Sequence, residues 1–224
     1  MSDLRSLSGP RLPSSPQLDP PPPLQVGLTG NVASGKSTVA RVWTEMGVPV
    51  VSADALARDV VAPGTEGLEA VVALLGPEAR TPDGGMDREE VRRRVFKDPE
   101  LRAELEAILH PRIADLRAAW VREREAEGHP VLVSEVPLLF EAGLTDRFHR
   151  VVVVHAEAER RLARLRDDRG LDEAEARRIM AAQGDPDEKR RAAHHVLVND
   201  GSREALAAEA RTLMERFLAE AQAP

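Results

Sequence analysis

Gly30-Asn31-Val32-Ala33-Ser34-Gly35-Lys36-Ser37, followed by Thr38, fits the spacing G-x-x-x-x-G-K-[S/T] at every fixed position. A run of small residues lets successive backbone N–H groups turn toward a phosphate chain without side chains in the way, and Gly30 and Gly35 supply that openness. A helix beginning near Lys36 directs its positive dipole end at the same negative charge. The Lys36 ammonium can reach β- and γ-phosphates as a mobile point charge, and Ser37 is placed to ligate Mg2+. The chemistry these residues imply is the handling of nucleotide phosphates.

Two carboxylates and a group of arginines extend that chemistry. Asp54 could accept a proton from an attacking hydroxyl or hold it in line with a γ-phosphorus, which is what phosphoryl transfer asks of a positioned base. Its plainer role is a helix N-cap for Ala55 onward, and the two are compatible. Glu135 could hold a water on Mg2+ or bind substrate, against a surface ion pair as the simpler alternative. Arg160, Arg161, Arg164, Arg166 and Arg169 lie close together in the chain. With Arg160 and Arg164 one helical turn apart, guanidinium groups there could close over the phosphates. The alternative is a solvated helix paired with Glu157, Glu159, Asp167 and Asp168. Asp172 with Glu175 makes a capping box that restarts a helix, which suits Gly170 to a lid hinge. His110-Pro111 reads as a helix break, its imidazole either structural or ligand-binding, and His194 and His195 read as strand-edge residues.

These groups need elements to place them. Residues 24–29 form a short apolar run before the glycine loop, and Val39, Val42, Trp43 and Met46 recur at helical spacing after it until Gly47. Four more apolar runs, at 48–51, 131–133, 151–154 and 196–198, read as buried parallel strands. Helical patterns separate them: Val91, Val95 and Phe96; Leu101, Leu105, Ile108 and Leu109; Leu206, Ala210, Leu213, Met214 and Phe217. Such alternation predicts an α/β doubly wound sheet. Ligands in these sheets gather beyond the carboxyl ends of the strands, where the glycine loop, Asp54 and Glu135 all fall. The stretch 55–130 is too long for one crossover helix. Breaks at Pro63, Gly76-Pro77, Asp83-Gly84-Gly85 and Pro111 divide it into helical pieces, an inserted substrate-binding part.

The 224 residues suit one domain over 24–224, with that insertion and a lid region at about 157–193. Residues 1–23, rich in Pro and Ser and without apolar periodicity, read as a disordered tail lacking the features of a secretory signal or transit peptide. A net charge of −7 argues against nucleic-acid binding through broad electrostatic attraction. With no cysteine there is no disulfide framework and no thiolate chemistry. Nowhere do eighteen apolar residues run together, so the expectation is a cytoplasmic protein with no membrane partner.

In order along the chain, L-T-G-N-V-A-S-G-K-S-T, A-D-A-L-A-R from Ala53 to Arg58, L-H-P at 109–111, V-P-L-L-F-E from Val136 to Glu141, Ala182-Gln183 with Lys189, and V-N-D-G-S ending at Ser202 resemble the dephospho-CoA kinase family. The likeness covers about residues 24–218. It implies a phosphate-loop kinase fold with a five-stranded parallel sheet, a helical CoA-side insertion and a lid. It also implies transfer of the ATP γ-phosphoryl to the ribose 3′-hydroxyl of dephospho-CoA with Mg2+, by a monomer or weak homo-oligomer. Carried over by position, Thr29 and Gly30 to Thr38 hold ATP, Asp54 is the base and Arg164 takes the place of the lid arginine. Arg58, His110 and the segment Pro137, Leu138, Leu139, Phe140, Glu141 fall at the acceptor site, and Asn199 to Ser202, Gly201 among them, lie near the adenine pocket. Ser37 and Glu135 are the metal-side residues. Three positions depart from the family pattern: Ser52 where many members have a second aspartate, Ala33 for a frequent glycine, and Glu135 for a frequent aspartate.

A nucleoside or nucleotide kinase would share the loop, lid and Mg2+ but not the P-L-L-F-E and L-H-P segments. A GTP-binding switch is the reading from another class. Asp167-Asp168-Arg169-Gly170 matches D-x-x-G, but within an Arg-rich helical stretch, and no N-K-x-D motif accompanies it.

Overall fold

The computed structural model describes residues 21–223, so the tail expected over 1–23 lies outside the described residues except for its last three. Five strands, β1 (Leu24–Thr29), β2 (Val50–Ser52), β3 (Val131–Glu135), β4 (Arg150–His155) and β5 (His195–Val198), make one sheet in the order β2-β3-β1-β4-β5. Every pairing is parallel. The valines of β4 are all buried, which suits a parallel sheet covered on both faces. The second strand starts two residues later than its apolar run, because Pro49 has no N–H to give a ladder. Its carbonyl still accepts from Val133 N at 3.0 Å.

On one face α1 (Lys36–Glu45) and α9 (Arg203–Ala221) pack together over the sheet, burying Val26, Leu28, Trp43, Met214 and Phe217. The indole of Trp43 is fully buried, and its Nε1–H donates to Ala210 O at 2.8 Å. The opposite face carries Val136, Leu139, Phe148 and Val151. Gly27 makes that packing possible, since a Cβ there would meet Leu139 Cδ1 at 2.7 Å and Phe148 Cδ2 at 2.9 Å. Leu139 is thereby drawn under β1, and the segment after β3 is fixed beside the glycine loop.

The stretch 55–130 holds α2 (Ala53–Asp59, which starts just before it), α3 (Glu66–Leu75), α4 (Arg88–Val95) and α5 (Pro99–Ala126). They surround a second apolar cluster that includes Val60, Leu68, Val71, Leu75 and Leu105. Thr65, Asp87 and Asp98 each accept backbone N–H bonds at the starts of α3, α4 and α5. Phe96 falls just past the end of α4 and is 85% exposed, outside the apolar stripe of Val91 and Val95.

His110-Pro111 does not break a helix: α5 runs through it for 28 residues. A proline at mid-helix removes one hydrogen bond and crowds the preceding turn, at about 3 kcal/mol. Leu101, Leu105, Ile108, Leu109 and Ile113, on both sides of it, pack into the insertion core, and that burial holds the helix together. At its far end α5 is pinned to the sheet by Arg117, which bonds Ser134 Oγ at 2.9 Å and Gln25 Oε1 at 2.7 Å and lies 4.8 Å over the Phe148 ring.

After β4 come α6 (Ala158–Asp167), α7 (Glu173–Ala181) and α8 (Pro186–Ala192). Asp172 caps α7 by accepting from Glu175 N at 2.7 Å, as the sequence leads one to expect. His195 lies in β5, an edge strand, and His194 Nδ1 accepts the N–H of Val151 at 3.0 Å just ahead of it.

Candidate active site

The loop between β1 and α1 depends on its two fixed glycines. Gly30 has φ 147°, and a Cβ on it would lie 2.3 Å from Val154 O; Gly35 has φ 106°, and a Cβ there would lie 2.3 Å from Asn199 Nδ2. Ala33, at φ 58°, is the one non-glycine residue with positive φ among the described residues. Its methyl group stands where glycine is unstrained, at about 1–2 kcal/mol. Ala33→Gly is expected to keep turnover and to raise the melting temperature, the relieved strain exceeding the added chain entropy; a lowered melting temperature would contradict that balance.

The loop's carbonyls are held from below. Asn199 Nδ2 donates to Ser34 O at 2.8 Å, and the Arg164 guanidinium donates to Ala33 O at 3.0 Å and Asn199 O at 2.9 Å. Carbonyls turned inward leave N–H groups facing out. Those of Gly35, Lys36 and Ser37 have no partner among the described residues, the arrangement that receives an anion at a helix start. Arg164 thus ties the loop to the start of the segment after β5, and is not a residue of a solvated, ion-paired helix face. Arg160 instead stands 3.8 Å from Asp200, and Arg161 is buried. Arg164→Lys keeps the charge but loses the planar fork, and is expected to lower kcat/KM for the nucleotide by about 10²-fold through a misplaced loop. Kinetics equal to the parent protein would return Arg164 to a passive role.

The carboxylates stand at the neighbouring strand ends. Both Leu28 and Ser52 pair with Glu135, so the ends of β1, β2 and β3 are level. Asp54 is not a helix cap. The helix begins at Ala53 with Ser52 in the capping position, because the chain turns directly out of β2, and this leaves the Asp54 side chain exposed in the first turn. Arg58, also exposed, follows one turn later on the same face. Ser37 is exposed in the first turn of α1. Lys36 Nζ donates to Gly30 O at 2.7 Å and Asn31 O at 3.3 Å. Burial pulls the Lys36 pKa below the ordinary lysine value; Glu135 and Asp54 oppose the shift, whereas Lys189 and Arg169 add to it. Burial also raises the Glu135 carboxyl, with Asp54 acting in the same direction and Lys36 against it. Lys36, Asp54 and Glu135 are thus near enough for each to act on another's charge, at neighbouring strand ends.

The segment after β3 runs alongside. Val136 N donates to Leu28 O at 2.9 Å, and Thr29 Oγ1 donates to Pro137 O at 3.3 Å. Leu139 is fully buried, Phe140 is half-buried, and Leu138 is 51% exposed. Glu141 is held by Lys189 Nζ at 2.6 Å and by Gly184 N at 3.3 Å. His110 is exposed on α5 and Gly201 is exposed ahead of α9; neither makes a side-chain or loop hydrogen bond to this group among the described residues.

Contacts from Gln183, Gly184 and Lys189 complete the arrangement. Gln183 Oε1 accepts from Val32 N at 2.7 Å, and Gly184 O accepts from Asn31 Nδ2 at 3.1 Å. In the sequence they carry only the Ala182-Gln183 and Lys189 likeness to a family, for no spacing rule joins residues about 150 apart.

The chain was compared with known proteins. A family model described as dephospho-CoA kinase matches residues 24–205. The dephospho-CoA kinase of Geobacter metallireducens is 44% identical over 81% of this chain and 90% of its own length. That of Corynebacterium diphtheriae is 44% identical over 86% of this chain and 96% of its own. Among solved structures, TT1252 from Thermus thermophilus superposes with a TM-score of 0.74 at 37% identity, covering 87% of this chain and 97% of that one. The Campylobacter jejuni dephospho-CoA kinase gives 0.68 at 23% identity over 88% and 98%, a likeness of fold.

Proposed function

The chain belongs to the dephospho-CoA kinase family and phosphorylates dephospho-CoA in the last step of coenzyme A synthesis, and we propose that Lys36, Asp54 and Glu135 carry the transfer. The observation that supports this assignment is their placement at the level ends of β1, β2 and β3, beside loop N–H groups that have no partner among the described residues. A kinase of this fold uses ATP. The loop N–H groups bind its β-phosphate, and Lys36 turns from its own loop carbonyls to the phosphates as charge builds on the transferred group. Asp54 orients the acceptor's ribose 3′-hydroxyl and takes its proton as that oxygen bonds to phosphorus. The exposed Asp54 and Arg58 on one face of α2, with Leu138 and Phe140 after β3, form the acceptor side.

The donor set also fits Mg2+. Ser37 offers an exposed hydroxyl, and Glu135 a half-buried carboxylate. A magnesium ion that keeps several waters and takes phosphate oxygens needs only one or two protein ligands. When bound, it neutralises charge on the β- and γ-phosphates. No helix among the described residues is long and apolar enough to cross a membrane.

The test is ADP release from Mg-ATP with dephospho-CoA, adenosine, AMP, CMP or water as acceptor. Turnover that depends on dephospho-CoA, and a product phosphorylated at the 3′ position, is the expected result. Preference for a nucleoside or nucleotide would overturn the acceptor assignment, and slow hydrolysis alone would overturn the transferase reading.

A further inference from the structure

Lys189 is only 3% exposed, although it is a lysine on the short helix α8. Its Nζ meets Glu141 Oε1 at 2.6 Å and has no other partner among the described residues. Taking an ammonium out of water is unfavourable, and a methionine of similar length would fill such a place without that penalty. The cation therefore calls for a reason beyond packing. Its surroundings supply one. Glu141, on the segment after β3, also accepts the N–H of Gly184 at 3.3 Å. Gly184 O accepts from Asn31 Nδ2, and Gln183 Oε1 beside it accepts the N–H of Val32. Space around Gly184 is tight: a Cβ there would lie 3.2 Å from Glu141 Oε1 and 3.4 Å from Lys189 Cε.

These contacts form one continuous path from the glycine loop, through the turn between α7 and α8, to the segment after β3. We infer that Lys189 is a positioning residue for phosphoryl transfer: its buried ammonium locks that turn onto Glu141, and the locked turn sets the leading edge of the phosphate loop against the acceptor-binding segment. The inference rests on the kinase assignment above for what the two sides bind. Gln183 and Gly184 occupy Asn31 and Val32, the front of the loop, and leave the N–H groups of Gly35, Lys36 and Ser37 for phosphate. The lock thus fixes the loop without competing with its ligand. Lys189 also adds positive charge near Lys36, and this favours an anion between them.

One substitution should then disturb two sites. Lys189→Met is expected to lower kcat/KM for dephospho-CoA by about 10²-fold, the penalty of a loosened reacting geometry, and to weaken calorimetric binding of a non-hydrolysable ATP analogue by about tenfold. Lys189→Arg, which keeps the charge, should recover most of both. Gln183→Ala should weaken analogue binding, and the Gln183→Ala, Lys189→Met pair should be no worse than Lys189→Met alone, since the two act in series. Glu141→Gln provides a variant that folds if Lys189→Met does not, because the amide can still accept from Gly184; it should show the same paired loss. A variant with a lower melting temperature but parental affinity and kinetics would overturn the inference, as would additive effects in the double variant. If the parent protein fails to turn over dephospho-CoA, the kinase assignment falls, whereas analogue binding by the same variants still decides the lock.

Discussion

Lys36→Ala is expected to lower kcat by at least about 10²–10³-fold, the loss that follows removal of one charge-stabilising group from a preorganised site. Lys36 is half-buried, the charges of Glu135, Asp54, Lys189 and Arg169 act on it, and burial holds its pKa below the ordinary value. A half-buried cation interacts more strongly with developing negative charge than a fully exposed one would. Because the interaction strengthens toward the transition state, kcat and kcat/KM should fall together. Nζ also ties Gly30 O and Asn31 O in the present structure, so part of any loss in nucleotide affinity would come from a looser loop. Steady-state kinetics with ATP and dephospho-CoA measure the effect. Turnover within a few-fold of the parent protein would remove Lys36 from the transfer step.

Asp54→Asn is expected to lower kcat by about 10²–10⁴-fold, the usual contribution of a positioned general base. ATP affinity should change little. The structure sharpens this test, because Asp54 caps no helix and its side chain is exposed. An exposed side chain outside any cap or network normally moves stability by no more than about 0.5 kcal/mol on conservative replacement. A parental melting curve with lost turnover is therefore the result that identifies a base. Stability loss with intact turnover in the folded fraction would mean that the residue supports the start of α2 by another route.

The two departures from the family pattern in the glycine loop and at the end of β3 differ in physical weight. Ala33 has a conformational consequence, since its φ of 58° is one that glycine adopts freely. Glu135 in place of the frequent aspartate is one methylene longer at the end of β3, where the charges of Lys36 and Asp54 both act on it.

Much of this protein was legible in one dimension. Five apolar runs yielded five strands, largely buried in β1, β3 and β4 and only partly so at the edges β2 and β5, because a parallel sheet covered on both faces needs continuous apolar stretches. The glycine loop was legible because its chemistry is local: backbone N–H groups, one lysine and one serine within nine residues. Asp54 and Glu135 could be singled out because each follows a strand whose end faces the ligand in such sheets. Local rules failed where packing opposed them. Pro111 looked like a helix end, but apolar contacts on both sides of it carry α5 through. Asp54 looked like a cap for Ala55 onward, yet the turn out of β2 starts the helix two residues earlier, at Ala53.

What the sequence determined by itself was every element held by a short-range pattern, and the family likeness that names the acceptor. Only the tertiary structure decided what lies under and in front of the loop: Arg164 and Asn199 on its carbonyls, Gln183 and Gly184 on its leading edge, Lys189 buried against Glu141. Those partners stand about 130–165 residues from the loop along the chain, or about 50 apart in the last pair, and are joined by hydrogen bonds and charge. Such bonds leave no periodicity in a sequence, because their geometry exists only once the sheet has brought the strand ends together.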